Sequence, residues 1–88
     1  MNYTVKLSAN ARRQLNKIDR YQAHIIITWM VKHLQGCSDP RLHGAALTGD
    51  KKGYWRYRVG SYRLIADIQD DVITIEIINI AHRREVYN

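Results

Sequence analysis

The 88-residue sequence has one cysteine, one proline and only eight acidic residues against fourteen Lys and Arg. Cys37 has no partner within the chain, so no internal disulfide framework is expected. Neither Cys37 nor His24, His33 and His43 stands in a CxxC or HxxxH spacing, so neither a metal site nor a cofactor is expected. The most apolar stretch, Ile25 to Val31, is broken by Thr28 and falls far short of the ~20 residues that cross a bilayer. Met1 to Leu7 are too few and too polar for a signal peptide, so the protein is expected to be soluble and cytoplasmic, with no membrane partner. Proline-rich, serine-rich and repeated segments are also missing, which leaves a single domain over residues 1–88 as the expected organisation.

The shortage of acid gives a net charge of +6, and a chain this basic is expected to meet an anionic partner. The excess is concentrated. Lys51, Lys52, Arg56, Arg58 and Arg63 fall between Lys51 and Ala66, a stretch without one acidic residue.

Tyr3, Val5 and Leu7 alternate with polar residues as in a strand, and Ser8 is placed to cap a following helix. Ala11, Leu15 and Ile18 recur at helical spacing. Asp19 can cap a second helix with the stripe Ile25, Ile26, Trp29, Met30 and Leu34, closed by Gly36. Ser38 to Gly53 reads as a loop with at most one short helical turn. Trp55 to Val59 and Arg63 to Ile68 then alternate as strands around a Gly60-Ser61 turn of type II′. Asp70-Asp71 makes a second turn into the strand Val72 to Ile80. The expected fold is α+β, in the order β-α-α-β-β-β, with the N-terminal helical hairpin packed on one face of an antiparallel sheet.

With Gly60 and Ser61 at the turn, Val59 lies opposite Tyr62, Arg58 opposite Arg63 and Tyr57 opposite Leu64. Trp55, Tyr57, Val59, Tyr62 and Leu64 then share the core face, and Arg56, Arg58 and Arg63 share the other. Like charges across a ladder are unfavourable, so stability does not account for them. A polyanion would relieve the repulsion and accept charge-assisted, bidentate contacts. Trp29 and Trp55 fall on core faces and read as packing residues, not as base-stacking platforms. The last strand breaks its own alternation: Ile73, Ile75 and Ile77 fit one face and Ile78 and Ile80 the other. A bulge near Ile77, or a sheet end covered on both sides, accounts for this.

The run YWRYRVGSYRLIADI (residues 54–68) and the run INIAHRREVY (residues 78–87), preceded by Leu47, Gly49 and Gly53, resemble the RelE/ParE toxin superfamily over the whole chain. The resemblance implies the toxin half of a type II toxin-antitoxin pair. In the RelE-type branch it implies a ribosome-dependent endoribonuclease, an mRNA interferase, that cuts message in the A site. The family's functional positions map onto Arg56, Arg58, Arg63, Arg83 and Tyr87. The implied reaction is attack by a ribose 2′-oxygen on the adjacent phosphorus, without protein nucleophile or metal. Arg63 and Arg83 would clamp the phosphate, Arg56 and Arg58 would hold the RNA and its developing charge, and either Tyr87 or His82 would serve as base. Lys51 and Lys52 would grip RNA from their loop. No carboxylate-histidine pair is evident: Glu76 is expected opposite Ile65, and Glu85 can equally pair with Arg84. The implied partners are the ribosome with its mRNA and a RelB-like antitoxin with acidic residues, which would cover the arginine face or displace residues 82–88. Two other readings stay open: a ParE-like inhibitor of DNA gyrase, and a nucleic-acid-binding module that cuts nothing.

Overall fold

A computed structural model describes residues 2–86 of the chain. The elements are β1 (Thr4–Leu7), α1 (Ala9–Lys17), α2 (Arg20–His33), β2 (Ala45–Ala46), β3 (Trp55–Val59), β4 (Tyr62–Gln69), β5 (Thr74–His82) and α3 (Arg83–Val86), with 3₁₀ turns at Gly49–Lys51 and Asp70–Val72. This is the expected order with a two-residue strand and a closing helical turn added. The helix starts follow from their caps: Ser8 Oγ accepts the Ala11 N–H and Asp19 Oδ2 the Gln22 N–H.

The strands form one sheet in the order β1-β5-β4-β3-β2. It is antiparallel except at β1, which pairs parallel to β5 with Val5 opposite Ile75. The antiparallel sheet expected from the sequence is thus present, with β1 as its one parallel edge among the described strands. Turn chemistry specifies only strands that are neighbours in sequence, whereas β1 meets β5 because the helical hairpin returns the chain to the start of β1. Gly36 N–H donates to the Tyr3 carbonyl, and Tyr3 N–H to that of Cys37.

The core lies between the helices and one sheet face. Ala11 and Leu15 of α1, Ile26 and Met30 of α2, and Leu34 just after it meet Tyr57, Val59, Leu64, Ala66, Ile75, Ile77 and Ile80. The β3–β4 register is the one expected, with Val59 opposite Tyr62, Arg58 opposite Arg63 and Tyr57 opposite Leu64. Gly60 takes φ of 59° while Ser61 stays outside the positive region, as a II′ turn requires. The next turn is longer than expected. Residues 70–73 are all used, with Ile73 in the left-handed region at φ 49°. The last strand therefore starts at Thr74, not Val72, and Glu76 lies opposite Asp67, not Ile65.

The pairing of β4 with β5 slips once. Ile65 lies opposite Asn79 and Ala66 opposite Ile77, so Ile78 is the extra residue of a bulge. The bulge converts Ile75 and Ile77 before it, and Ile80 after it, into one buried set. Side chains of α1 take up the backbone groups that the bulge leaves unpaired. Asn10 Nδ2 donates to the Ile78 carbonyl at 3.0 Å, and Gln14 Oε1 accepts the Ile80 N–H at 2.6 Å. Gln14 Nε2 reaches Asn79 Oδ1 at 2.7 Å.

Two predictions follow from these contacts. Gln14→Ala strands the N–H of buried Ile80, and is expected to cost about 1–3 kcal/mol in urea unfolding. Asp70 accepts a bidentate pair from Arg41, at 2.9 and 3.2 Å, and the Tyr3 hydroxyl at 2.6 Å. Arg41 first, then Tyr3, holds its carboxyl below the usual carboxylate range. A carboxyl lowered on folding stabilises above its unfolded pKa, and that contribution disappears as pH falls through the folded one. Asp70→Asn is expected to lower the urea midpoint slightly near pH 7, with the gap to wild type closing as pH falls below the ordinary carboxylate range.

Candidate nucleic-acid interface

The sheet face away from the main core is split by charge. At the end near the Gly60-Ser61 turn lie Arg58 and Arg63, directly opposed, with Arg56 two pairs further along opposite Ile65. At the other end Asp67 lies opposite Glu76, and Gln69 Nε2 donates to both carboxylates, at 3.0 and 3.2 Å. Buried Ile65, 4% exposed, separates the two ends. The acidic pair is thus held away from the guanidinium groups by a hydrogen-bonded glutamine. Among the described residues neither Arg56 nor Arg58 has a salt-bridge partner.

The three arginines differ in exposure. Arg58 is exposed, Arg56 half-buried and Arg63 only 6% exposed. Arg63 Nη1 lies 3.5 Å from the Tyr62 carbonyl. Arg56 Nε is buried without a hydrogen-bond partner among the described residues. A stranded buried donor of this kind costs about 1–3 kcal/mol, which an incoming anion would recover.

The bulge determines what the end of β5 brings to this face. Ala81 lies opposite Arg63 and His82 opposite Tyr62. His82 therefore shares the face of Tyr62, its ring tilted edge-on at 5.4 Å, and its Nδ1 accepts the Arg84 N–H at 3.2 Å. The structure does not bring His82 onto the arginine face. Arg83 arrives at the right end: its backbone N–H donates to the Ser61 carbonyl at 2.8 Å, extending the ladder by one bond, and it is exposed. Tyr87, together with the side chain of Glu85, lies outside the described residues. Lys51 and Lys52 are exposed at the 3₁₀ turn before β3, in the connection from β2.

One group of residues was not singled out in the sequence as functional. Loop 38–44 is pinned at three points: Tyr57 hydroxyl donates to the Pro40 carbonyl at 2.5 Å, Trp55 Nε1 to the His43 carbonyl at 2.7 Å, and Arg41 to Asp70. Burial pushes the Tyr57 phenol well above its ordinary pKa and so keeps that donor protonated. The pinned loop sets His43 beside Trp29 and β3, and a cleft of about 500 Å³ opens between Trp29, His43, Gly44, Ala45, Arg56 and Arg58. Nothing in the spacing of His43 signals this, because a long-range loop anchor creates it. Burial, and then Asp39, push the Cys37 thiol up, away from the nucleophilic thiolate. No group of three or more His, Cys, Asp or Glu that could hold a metal ion occurs among the described residues. None of the described helices is long and apolar enough to cross a membrane. What this face can do is bind and neutralise phosphate.

Comparison with known proteins gives one picture. The family model described as the ParE toxin of the type II toxin-antitoxin system parDE matches residues 5–87. The chain is similar to Toxin RelG of Mycobacterium tuberculosis, at 30% identity over 87 residues, covering 99% of this chain and 98% of that one. Among solved structures it resembles a chain of the toxin-antitoxin complex RelBE2 from the same organism, with a TM-score of 0.85, 29% identity, and 94% and 100% of the two chains covered. The isolated RelE toxin of E. coli shares the fold, with a TM-score of 0.72 and 17% identity over 91% of this chain and 83% of that one.

Gly44 tests whether the pinned loop matters to the site. It has φ of +86°, and a Cβ there would collide with the Arg56 carbonyl oxygen and lie 2.8 Å from Trp55 Nε1. Gly44→Ala is expected to break the β2–β3 pairing at Arg56 and cost about 1–3 kcal/mol, the range for strain at such a position. Urea unfolding checks the loss, and the amide shift of Arg56 checks its location.

Proposed function

The chain belongs to the ParE toxin family, within the RelE/ParE superfamily of type II toxin-antitoxin toxins, and from that premise we propose that it is a ribosome-dependent endoribonuclease that cleaves mRNA. The observation that carries this reading is the opposed pair Arg58 and Arg63, with Arg56 beside them and the Arg83 backbone tied to the same turn. Like charges across a ladder cost roughly 0.2–1 kcal/mol. An arrangement that opposes stability is intelligible as a phosphate site.

In the proposed reaction the ribose 2′-oxygen attacks the neighbouring phosphorus, a 2′,3′-cyclic phosphate forms, and the P–O5′ bond breaks with the 5′-oxygen leaving as a hydroxyl that takes its proton from water. Arg63 and Arg83 contact the phosphoryl oxygens, and Arg58 and Arg56 hold the backbone and the developing charge. Buried Arg63 is held in one place before substrate arrives, which is what preorganised stabilisation needs. Tyr87 takes the proton of the 2′-hydroxyl, since the strand register turns His82 to the other face. Lys51 and Lys52 add phosphate contacts from the neighbouring turn. A face with little acid-base equipment depends on the ribosome to orient the RNA, so free RNA is expected to be a poor substrate. The cognate antitoxin supplies acidic groups against the same face or displaces residues 82–88.

Arg83→Ala is expected to reduce cleavage by about a hundredfold or more, the loss for one preorganised donor, and to abolish growth arrest without lowering the urea midpoint. Arg63→Ala is expected to lose activity to the same degree but, being buried, to lower the urea midpoint as well, with Arg63→Lys as the variant that keeps a charge at the buried position. Primer extension on ribosome-bound message reads the activity. A-site cuts support the proposal; gyrase-linked DNA breaks without cuts would establish the ParE-like activity in its place. RNA binding with neither would leave a non-catalytic module.

A further inference from the structure

The cleft beside β3 has a composition that the phosphate site does not require. β2 pairs with β3 only at Trp55 and Arg56, so the outer edge of β3 from Tyr57 onward has no strand partner among the described residues. The cleft opens there. One wall carries the rings of Trp29 and His43, 5.8 Å apart, with His33 packed against both at 5.0 and 4.9 Å and Tyr57 against Trp29 at 5.5 Å. The other wall carries Arg56 and Arg58. Trp29 was read from the sequence as a packing residue, but it is half-buried and lines the cleft. Its indole N–H has no hydrogen-bond partner among the described residues, in contrast to that of Trp55, which is spent on His43.

A ring wall facing two guanidinium groups suits a ligand that is flat and aromatic at one end and anionic at the other. Arginine disfavours a cationic ligand, and a purely apolar ligand would leave the buried Arg56 Nε without a partner. The volume, about 500 Å³, accommodates a single nucleotide. Arg58 belongs both to the cleft and to the cross-strand pair with Arg63. A strand of RNA whose phosphate lies on Arg63 therefore has its neighbouring unit at the mouth of the cleft.

We infer that the cleft is a subsite for a nucleotide flanking the one at Arg63, its base against Trp29 and His43 and its phosphate on Arg56 and Arg58. The inference rests on the reading of the arginine face as an RNA site, but it requires binding only and not cleavage. The stacking is indifferent to base identity, because every base offers a π-face.

The test is a titration of the full ¹⁵N-labelled chain with adenosine 5′-monophosphate, ribose 5-phosphate and inorganic phosphate, following the two indole N–H signals and the backbone. The adenosine nucleotide is expected to move the Trp29 indole and His43, and to bind about tenfold tighter than ribose 5-phosphate, as one stacked base provides. His43→Ala and Trp29→Leu are expected to abolish that difference while phosphate binding persists. Trp29→Phe, which keeps a ring, is expected to retain most of it and guards against a merely structural loss. Equal affinity for the nucleotide and the sugar phosphate, or shifts confined to the Arg63 and Arg83 end, would overturn the inference. So would an antitoxin segment that moves Trp29 and His43 when the nucleotide does not, since the cleft would then belong to a protein partner. The proposed cleavage fails separately: nucleotide binding without A-site cuts removes the nuclease and leaves the subsite, and cuts without a Trp29 response do the reverse.

Discussion

The bulge at Ile78 is the constraint through which the fold and the candidate site depend on each other. A strand alternates its side chains between faces, and one extra residue exchanges the two sets. Before the bulge Ile75 and Ile77 point to the core; after it Ile80 does, and all three are buried. The same exchange sets Ala81 opposite Arg63, His82 opposite Tyr62, and the Arg83 N–H on the Ser61 carbonyl. An unbulged β5 would turn Ile80 out of the core and His82 towards the arginines. The bulge persists because Asn10 and Gln14 of α1 satisfy its backbone. Packing of the first helix thus fixes which residue of the last strand reaches the arginine end of the sheet.

Charge on the outer face is arranged as tightly as the core. An ordinary surface would pair Arg56 and Arg58 with nearby acid, yet Asp67 and Glu76 are engaged by Gln69 at the far end, with Ile65 between. The cost of leaving Arg56 and Arg58 without acidic partners among the described residues is met by the hydrophobic layer beneath, where Tyr57 and Leu64 are fully buried. Tyr57 links the two sides of the structure. Its ring packs in the core, its hydroxyl fixes Pro40, and its strand neighbours Arg56 and Arg58 face the cleft.

Local chemistry made much of this legible in the sequence. Ser8 and Asp19 cap helices because their side chains reach N–H groups three residues on, and Gly60-Ser61 sets a register that carries Arg58 to Arg63. The broken alternation of isoleucines fits either a bulge near Ile77 or a sheet end covered on both sides, and the structure has the bulge, at Ile78. What stayed hidden depends on long-range contact. The parallel pairing of β1 with β5 has no turn to announce it, and the left-handed Ile73 that lengthens the last turn runs against the preference of a β-branched residue. The face of His82 was unreadable without a located bulge. The role of His43 as a cleft wall required the Pro40 and His43 carbonyls to find Tyr57 and Trp55, 17 and 12 residues away.

The different exposures of the arginines give the proposed chemistry a division of labour. A guanidinium in water keeps its hydration until substrate arrives, and part of its attraction to phosphate goes into removing that shell. Arg63, 6% exposed, has lost most of it during folding, so its interaction with an incoming charge requires little reorganisation. Exposed Arg58 and Arg83 do the opposite in the proposed site: they would attract RNA from a distance, with a strength that falls as salt rises. On this reading the fold separates capture from transition-state stabilisation by placing chemically identical side chains at different depths. The cross-strand pairing of Arg58 with Arg63 sets one group of each kind side by side on the same face.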